Sequence, residues 1–341
     1  MEWTENDVQI SIAMATYNGE KYLQEQLDSL ANQALMPAEL VVGDDGSSDR
    51  TMEILERFAT SAPFEVQITR NERNLGHAEN FLRTARRCRA DWIAFCDQDD
   101  VWHPAKLDRF AKTVQADPCV TWMVCRNRHV DDRLRRLWSV PFPAGRGVDR
   151  TPLTSPVRLH DGHRMIFQRW FVDLPFETRP ISTDGRPISH DRWLSALSAL
   201  FGCRAFVPDR LTLYRQHPQS VTSQNRASLR DGASEMGPRH MFYAERDRFW
   251  RAMASWCRCL STTVTPIAVQ KRLIAADECE TIAALYRRRA AIHARDRSPL
   301  GKIALVSELI RVGAYRSVFG QPPMLRDVLA LLRNIAGAPL P

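Results

Sequence analysis

Residues 92–102 read Trp-Ile-Ala-Phe-Cys-Asp-Gln-Asp-Asp-Val-Trp. An apolar run with strand character leads straight into three carboxylates within four positions. A buried strand that stops in clustered acid delivers charge to the rim of a sheet, and in open α/β sheets ligands bind outside the carboxyl ends of the strands. On extended backbone Asp97 and Asp99, two apart, would point the same way. Two hard oxygen ligands on one side suit a divalent cation that also holds a diphosphate. Helix capping is the competing explanation, because His103-Pro104-Ala105-Lys106-Leu107 looks like a helix start with Pro at its first position. Capping accounts for one aspartate and hardly for three, and clustered acids call for a compensating charge.

The sequence before this stretch repeats one pattern. Residues 8–16 read as a buried strand broken by Tyr17-Asn18-Gly19, and Tyr22, Leu23, Leu27 and Leu30 then fall on one helical face. Residues 39–43 form a second strand ending in Asp44-Asp45-Gly46-Ser47-Ser48-Asp49, followed by helical spacing from Thr51 to Phe58. Residues 64–69 form a third strand, with Phe81, Leu82 and Ala85 on the next helix, and the helix after strand four carries Leu107, Phe110 and Val114. Four strand–helix pairs in the first 115 residues predict a parallel sheet covered on both faces, with right-handed crossovers. Tyr17/Asn18, Asp44/Asp45 and Asp97/Asp99 all lie at carboxyl ends and would converge on one rim. No GxGxxG follows the first strand and no GxxxxGK[ST] occurs, so phosphates would be held by a metal or by side chains.

Beyond the acidic stretch, residues 120–130 have strand character, and 131–187 read as loops and short strands that form a plausible acceptor region. A helix opens at Ser189, a natural N-cap, with Asp191 in its first turn, where the helix dipole favours a carboxylate. Cys203–Val207 and Leu211–Tyr214 read as two short strands around Pro208-Asp209, and Arg215-Gln216-His217 follows. Residues 218–238 read as a polar linker. From Arg239 the expected helices are 239–260, 266–292, 299–312 and 324–335, the third with one apolar face of Ile303, Leu305, Val306, Leu309 and Ile310.

The net charge of +7 is concentrated in residues 236–341, which hold 17 Lys/Arg against 8 Asp/Glu. That excess invites an anionic partner: membrane headgroups, nucleic acid or a phosphorylated acceptor. A solvated helical surface would show it equally. The eight cysteines form no CxxC pair, which argues against a zinc site or disulfide framework and fits a reducing cytoplasm. The acidic, polar start is unlike a signal peptide, and no apolar run approaches the roughly 20 residues that cross a bilayer.

These motifs, in this order, resemble glycosyltransferase family 2 with the GT-A fold, over about residues 8–217: Ala15-Thr16-Tyr17-Asn18-Gly19-Glu20, Asp44-Asp45-Gly46-Ser47-Ser48-Asp49, Asn74-Leu75-Gly76, and Asp97-Gln98-Asp99-Asp100 as the DxD element. The form Cys96-Asp97-Gln98-Asp99-Asp100-Val101-Trp102, with His190-Asp191 and Tyr214-Arg215-Gln216-His217, resembles the rhamnosyltransferase branch. The resemblance implies a GT-A Rossmann-like, mostly parallel sheet flanked by helices, with a C-terminal helical region. The transferase domain would span 1–235, with a nucleotide-sugar half near 8–117 and an acceptor half near 118–217. Residues 236–341 would be the basic helical part.

By the same resemblance, Ala15, Thr16, Tyr17, Glu20, Asp44, Asp45, Asn74, Gly76, Asn80, Asp97 and Gln98 would bind the nucleotide sugar. Asp99 and His217 would meet Mg²⁺ or Mn²⁺. Asp191 would be the general base, although the family commonly shows Glu-Asp or Asp-Asp where this chain has His190-Asp191. Trp102, His163, His190 and Trp193 would lie on the acceptor side.

The chemistry agrees with those residue types. Inverting transfer needs a base for the acceptor hydroxyl, its transition state has oxocarbenium character, and the leaving diphosphate needs a cation. The expected enzyme is a metal-dependent, inverting sugar transferase of bacterial surface-polysaccharide assembly, with dTDP-rhamnose a candidate donor. The acceptor would be a glycan or lipid-linked glycan. The location would be cytoplasmic, with peripheral membrane contact through the basic helices. Two alternatives stand beside it. A sugar-nucleotide nucleotidyltransferase would usually carry a Gly- and Arg-rich loop after the first strand, where this chain has Tyr17-Asn18-Gly19-Glu20. A basic nucleic-acid-binding protein would show a recognised binding motif, and the acidic rim argues against phosphate-backbone contact.

Overall fold

The computed structural model describes residues 8–137, 147–149, 161–182, 185–218, 220, 239–260, 267–294, 298–314 and 327. Four parallel strands carry the first half: β1 (Ile10–Thr16), β2 (Glu39–Asp44), β3 (Glu65–Arg70) and β4 (Trp92–Asp97). The helices α1 (Leu23–Ala31), α2 (Thr51–Ala59) and α3 (His77–Arg87) connect them, as the alternation of apolar segments requires. The second half adds β5 (Val101–Trp102), α4 (Lys106–Ala116), β6 (Trp122–Val130), β7 (Gly147–Asp149), β8 (Met165–Gln168), α5 (Trp170–Asp173), α6 (His190–Phe201) and β9 (Arg204–Arg215). Together they make one sheet in the order β3-β2-β1-β4-β8-β6-β9-β5, with β7 beside β9. Its second half is mixed: β8 runs antiparallel to both β4 and β6.

Strand residues alternate between the two faces. Ile12, Met14, Leu40, Val42, Ala94 and Cys96 join the core under α1, α2 and α4, while Ala13, Ala15, Val41, Ile93 and Phe95 join the core under α3 and α6. Burial on both faces is why these strands read as unbroken apolar runs. The register sets Ala15 beside both Gly43 and Asp97, and Thr16 beside Asp44, so three strands end level at one rim.

The two short strands expected around Pro208 are one strand. β9 pairs with β6 up to Phe206 and resumes at Arg210, with a register shift between Val124 and Asn127. Proline has no N–H for a ladder, so it sits where the pairing lapses and does not end the strand. The helices α7 (Arg239–Cys259), α8 (Val269–Ile292) and α9 (Pro299–Arg311) follow. Trp250, Met253, Trp256, Ala276 and Leu309 share one continuous core with Phe95 and Trp193, and the Trp193 and Trp256 rings meet edge to face at 4.5 Å.

The apolar face expected for α9 is split. Lys302, Val306 and Leu309 form the buried stripe, and Ile303 and Ile310 stand 39% and 52% exposed on the neighbouring side. The helix expected at 324–335 lies outside the described residues except for Asp327. That carboxylate is buried, accepts from Arg289 Nε at 2.8 Å and lies 2.9 Å from His293 Nε2.

Candidate active site

The first two βα loops are tied to each other. Asp44 is fully buried and accepts from Thr16 Oγ1 at 3.0 Å, Ser47 Oγ at 2.5 Å, Ser47 N at 2.9 Å and Gly46 N at 3.1 Å. Asp45 accepts from Leu75 N and Gly76 N at 2.8 Å and from Asn71 Nδ2 at 3.0 Å. The Asn74 side chain donates to the Asp45 carbonyl at 3.1 Å and accepts from Gly76 N. Gly76 has φ +82°, a conformation open to glycine. Asn80, also buried, donates to the Gly43 carbonyl at 2.7 Å. These side chains hold the loops in shape. Glu20 serves similarly, accepting from Arg50 N at 3.1 Å. Gln98 clamps Tyr17 through two bonds, accepting from Tyr17 N at 2.9 Å and donating to Tyr17 O at 3.0 Å. Ala15 is buried at the end of β1. The loops frame an open cleft of about 550 Å³ lined by Tyr17, Asp45, Arg70, Asn71 and Arg73. Tyr17 is half exposed and offers a ring face to anything bound there.

The acidic stretch turns after Asp97, so Asp97 and Asp99 have different neighbours. Asp97 Oδ1 lies 3.9 Å from His77 Nε2 and Oδ2 lies 3.8 Å from His163 Nδ1. Asp99 Oδ2 lies 2.8 Å from His217 Nε2. Asp100 is fully buried; its Oδ1 accepts from Arg215 N at 3.0 Å, and its Oδ2 has no hydrogen-bond partner. Burial, reinforced by Asp99 and then Asp97, holds the Asp100 carboxyl well above the usual carboxylate range. Asp97 is raised by burial against the hydrogen bond and charge of His77, with Asp99 and Asp191 adding to the rise. Partial desolvation opposes charge on His77, whose side chain is 47% exposed, and the hydrogen bond and charge of Asp97 outweigh it, so His77 is raised.

Asp191 enters from the first turn of α6. Its Oδ1 accepts from Ser189 Oγ and from Arg192 N, the latter at 2.7 Å. Ser189 takes the N-cap position as expected but makes no side-chain cap bond, since its hydroxyl goes to Asp191. The His190 ring beside Asp191 meets His77 at 4.8 Å, and His77 Nε2 lies 3.9 Å from Asp97, so the start of α6 faces the strand ends. His190 is buried and stacked on Phe81 at 4.5 Å, and burial, with His77 next, drives it well below the usual histidine value. Gly162 makes room for it, because a Cβ there would stand 2.5 Å from His190 Nε2. His163 is buried, stacks on Tyr214 at 4.2 Å and faces Asp97. Trp102 and Trp193 are core residues: Trp102 is 2% exposed beneath Lys106, and Trp193 is fully buried against Trp256. Both rings are buried, as are His163 and His190 of the same expected acceptor side.

Among the described residues, two groupings fit a divalent cation. Asp99 Oδ2 and His217 Nε2 are 2.8 Å apart, near the separation of about 3 Å between adjacent ligands on one octahedral ion. Asp97, Asp100 and His163 each bring one ligand atom within 4.8 Å of the others. Residue types alone did not single out His77, Lys106 or Arg215. Lys106 is wholly buried and donates to His163 O and Thr212 Oγ1, both at 2.9 Å. Its place on α4 beside the acidic loop was the available signal.

Residues 11–179 match the sequence profile of Glycosyl transferase family 2. An uncharacterized protein of Mycobacterium tuberculosis is 25% identical over 246 residues, 71% of this chain and 63% of that protein. The chain thus spans less than two thirds of that relative. The dTDP-rhamnosyl transferase RfbG of Shigella flexneri is 38% identical over 98 residues, 28% of this chain and 34% of that one. Among solved structures, S. aureus TarS 1–349 superposes with a TM-score of 0.55 at 16% identity, over 96% of this chain and 92% of that one. Its complex with UDP gives 0.52 at 17% identity, over 82% and 91%. At these identities the likeness shows the fold, a GT-A-like mixed sheet flanked by helices.

Proposed function

We propose, on the match of residues 11–179 to glycosyltransferase family 2, that the chain moves a sugar from a nucleoside-diphosphate sugar to a glycan or lipid-linked glycan, inverting the anomeric centre with Mg²⁺ or Mn²⁺. One observation supports this reading most: the His190 ring, beside Asp191 at the start of α6, meets His77 at 4.8 Å, and His77 Nε2 lies 3.9 Å from Asp97 Oδ1 at the end of β4. That gives the site two sides, one for a donor and one for an acceptor.

The nucleoside fits the cleft between Tyr17, Asp45, Arg70 and Asn71, which the clamps at Asp44, Asp45, Asn80 and Gln98 hold open. Asp99 and His217 are the residues to hold the cation, with Asp97 beside them. A bound cation there supplies charge neutralisation for the leaving diphosphate. Asp191 takes the proton of the acceptor hydroxyl as it attacks. Its Oδ1 is fixed by Ser189 and Arg192, which leaves Oδ2 for the acceptor. Developing positive charge on the sugar ring is favoured by the carboxylates around it.

The similarity over 98 residues to a protein named as a dTDP-rhamnosyl transferase supports dTDP-rhamnose as donor; bacterial surface polysaccharide is the product we propose with it. On this reading residues 1–235 are the transferase part. The basic excess of 236–341 supports peripheral contact with an anionic membrane surface that carries the acceptor. Among the described residues no helix is long and apolar enough to cross a membrane.

The test is Asp191→Asn. Transfer should fall by about 10²–10⁴-fold, the usual worth of a general base, with nucleoside-diphosphate affinity within about 2-fold of wild type. Transfer at the wild-type rate would remove Asp191 from the mechanism.

A further inference from the structure

We propose that Arg215 is a positioning residue that sets the Asp99–His217 pair for a divalent cation, an inference that rests on the reading above of those two residues as the cation's holders. Its side chain is 1% exposed at the end of β9. Each guanidinium nitrogen donates in a different direction: Nε to the Asp99 carbonyl at 2.8 Å, Nη1 to the Asp132 carbonyl at 2.6 Å and Nη2 to Glu25 Oε2 at 2.6 Å. The backbone N–H of the same residue donates to Asp100 Oδ1 at 3.0 Å. The guanidinium also lies over the Tyr22 ring at 4.4 Å, and that ring meets the His217 ring at 4.8 Å.

Burying a guanidinium is costly unless its donors are all satisfied. Here the donors reach Asp99 directly, and the guanidinium reaches His217 only through the Tyr22 ring. Asp99 is held by its carbonyl, and Asp100 by its carboxylate, so the turn that carries the Asp99 side chain is fixed at two adjacent residues. His217 is held two residues along the same chain and again through Tyr22. The ends of β4 and β9 and the start of α1 therefore meet at one side chain. Lysine carries its three donors on one nitrogen and has no planar fork to reach acceptors in three directions.

A role confined to holding the fold would cost stability and leave ion affinity alone, so both are measured. Mn²⁺ binding to the full chain is followed by the loss of the free-ion electron paramagnetic resonance signal, and the thermal midpoint is recorded alongside. Arg215→Lys should weaken Mn²⁺ binding at least 10-fold, with nucleoside-diphosphate release restored toward wild type at high Mn²⁺, a change in metal dependence more than in maximal rate. Glu25→Gln keeps the arginine and removes the charge of one half-exposed partner. It should fold even if Arg215→Lys does not, and should weaken Mn²⁺ about 2- to 5-fold. Wild-type Mn²⁺ affinity in both variants would overturn the proposal, whatever their thermal midpoints. Absence of Mn²⁺ binding by the wild-type chain would overturn it together with the metal role. Mn²⁺ binding that responds to Arg215→Lys, with no turnover of any nucleotide sugar, would sustain it and count against the transferase reading alone.

Discussion

At the scale of single residues, the site is a set of carboxylates with unequal duties. Asp45 binds three donors of the 71–76 loop, so Asp45→Ala should lower stability by about 2–4 kcal/mol, from hydrogen bonds to a charged group. It should also loosen nucleotide binding, because the same loop lines the cleft. Chemical denaturation and calorimetry with UDP, GDP and dTDP read the two effects separately. His163 and His190 predict a pH dependence. Burial, their leading cause, sets both well below the ordinary histidine value of 6.5. The unfolded chain then takes up protons first as pH falls. Their contribution is complete above about pH 6.5 and is lost below it, down to each folded value, by up to about 1.4 kcal/mol per pH unit for each histidine. Denaturation midpoints should therefore fall from pH 7.5 to 5.5, and His190→Asn should flatten that slope. An unchanged slope would show that His190 is not buried neutral. The motifs made Glu20, Asn80 and Gln98 legible as special positions. Spacing gives position and not bonding partner, so it left open that these side chains hold loops.

At the scale of elements, the first four strands and four helices were legible because β1, β2 and β4 are nearly unbroken buried runs and each helix repeats an apolar face. The rim was legible because Tyr17, Asp44 and Asp97 each follow such a strand directly. Legibility ends where pairing depends on distant residues: β8 has four residues and β7 three, too short for a period to register. The lapse at Pro208 is set by β6, not by β9 alone. A close approach the sequence hides occurs at Gly43, where an added Cβ would collide with Thr84 Oγ1 and Asn80 Oδ1. Gly43→Ala should push α3 away from β2 at a cost of about 1–3 kcal/mol, and because α3 begins at His77 it should also weaken nucleotide-sugar turnover. Equal stability and turnover in the variant would mean that α3 gives way freely.

At the scale of the molecule, the C-terminal helices do more than carry charge. α7 and α8 complete the core behind α6, the helix that begins beside Asp191, and the Trp193–Trp256 contact joins them. Trp256→Ala should cost about 3–5 kcal/mol and reduce transfer more than donor hydrolysis, since it loosens the acceptor side. Hydrolysis and transfer falling together would deny that division. The basic excess was plain in the sequence, but which apolar residues of α9 face inward was not, because a 13-residue helix with apolar residues on two adjacent sides admits more than one buried stripe.

The central claim is that the strand-end carboxylates handle a nucleotide sugar through a divalent cation. It is tested most directly by nucleoside-diphosphate release from a panel of nucleotide sugars, with Mn²⁺, Mg²⁺ or EDTA, for the wild-type chain and Asp99→Asn. The account predicts slow release from one donor, abolished by EDTA and by the substitution. Release that survives both would contradict it.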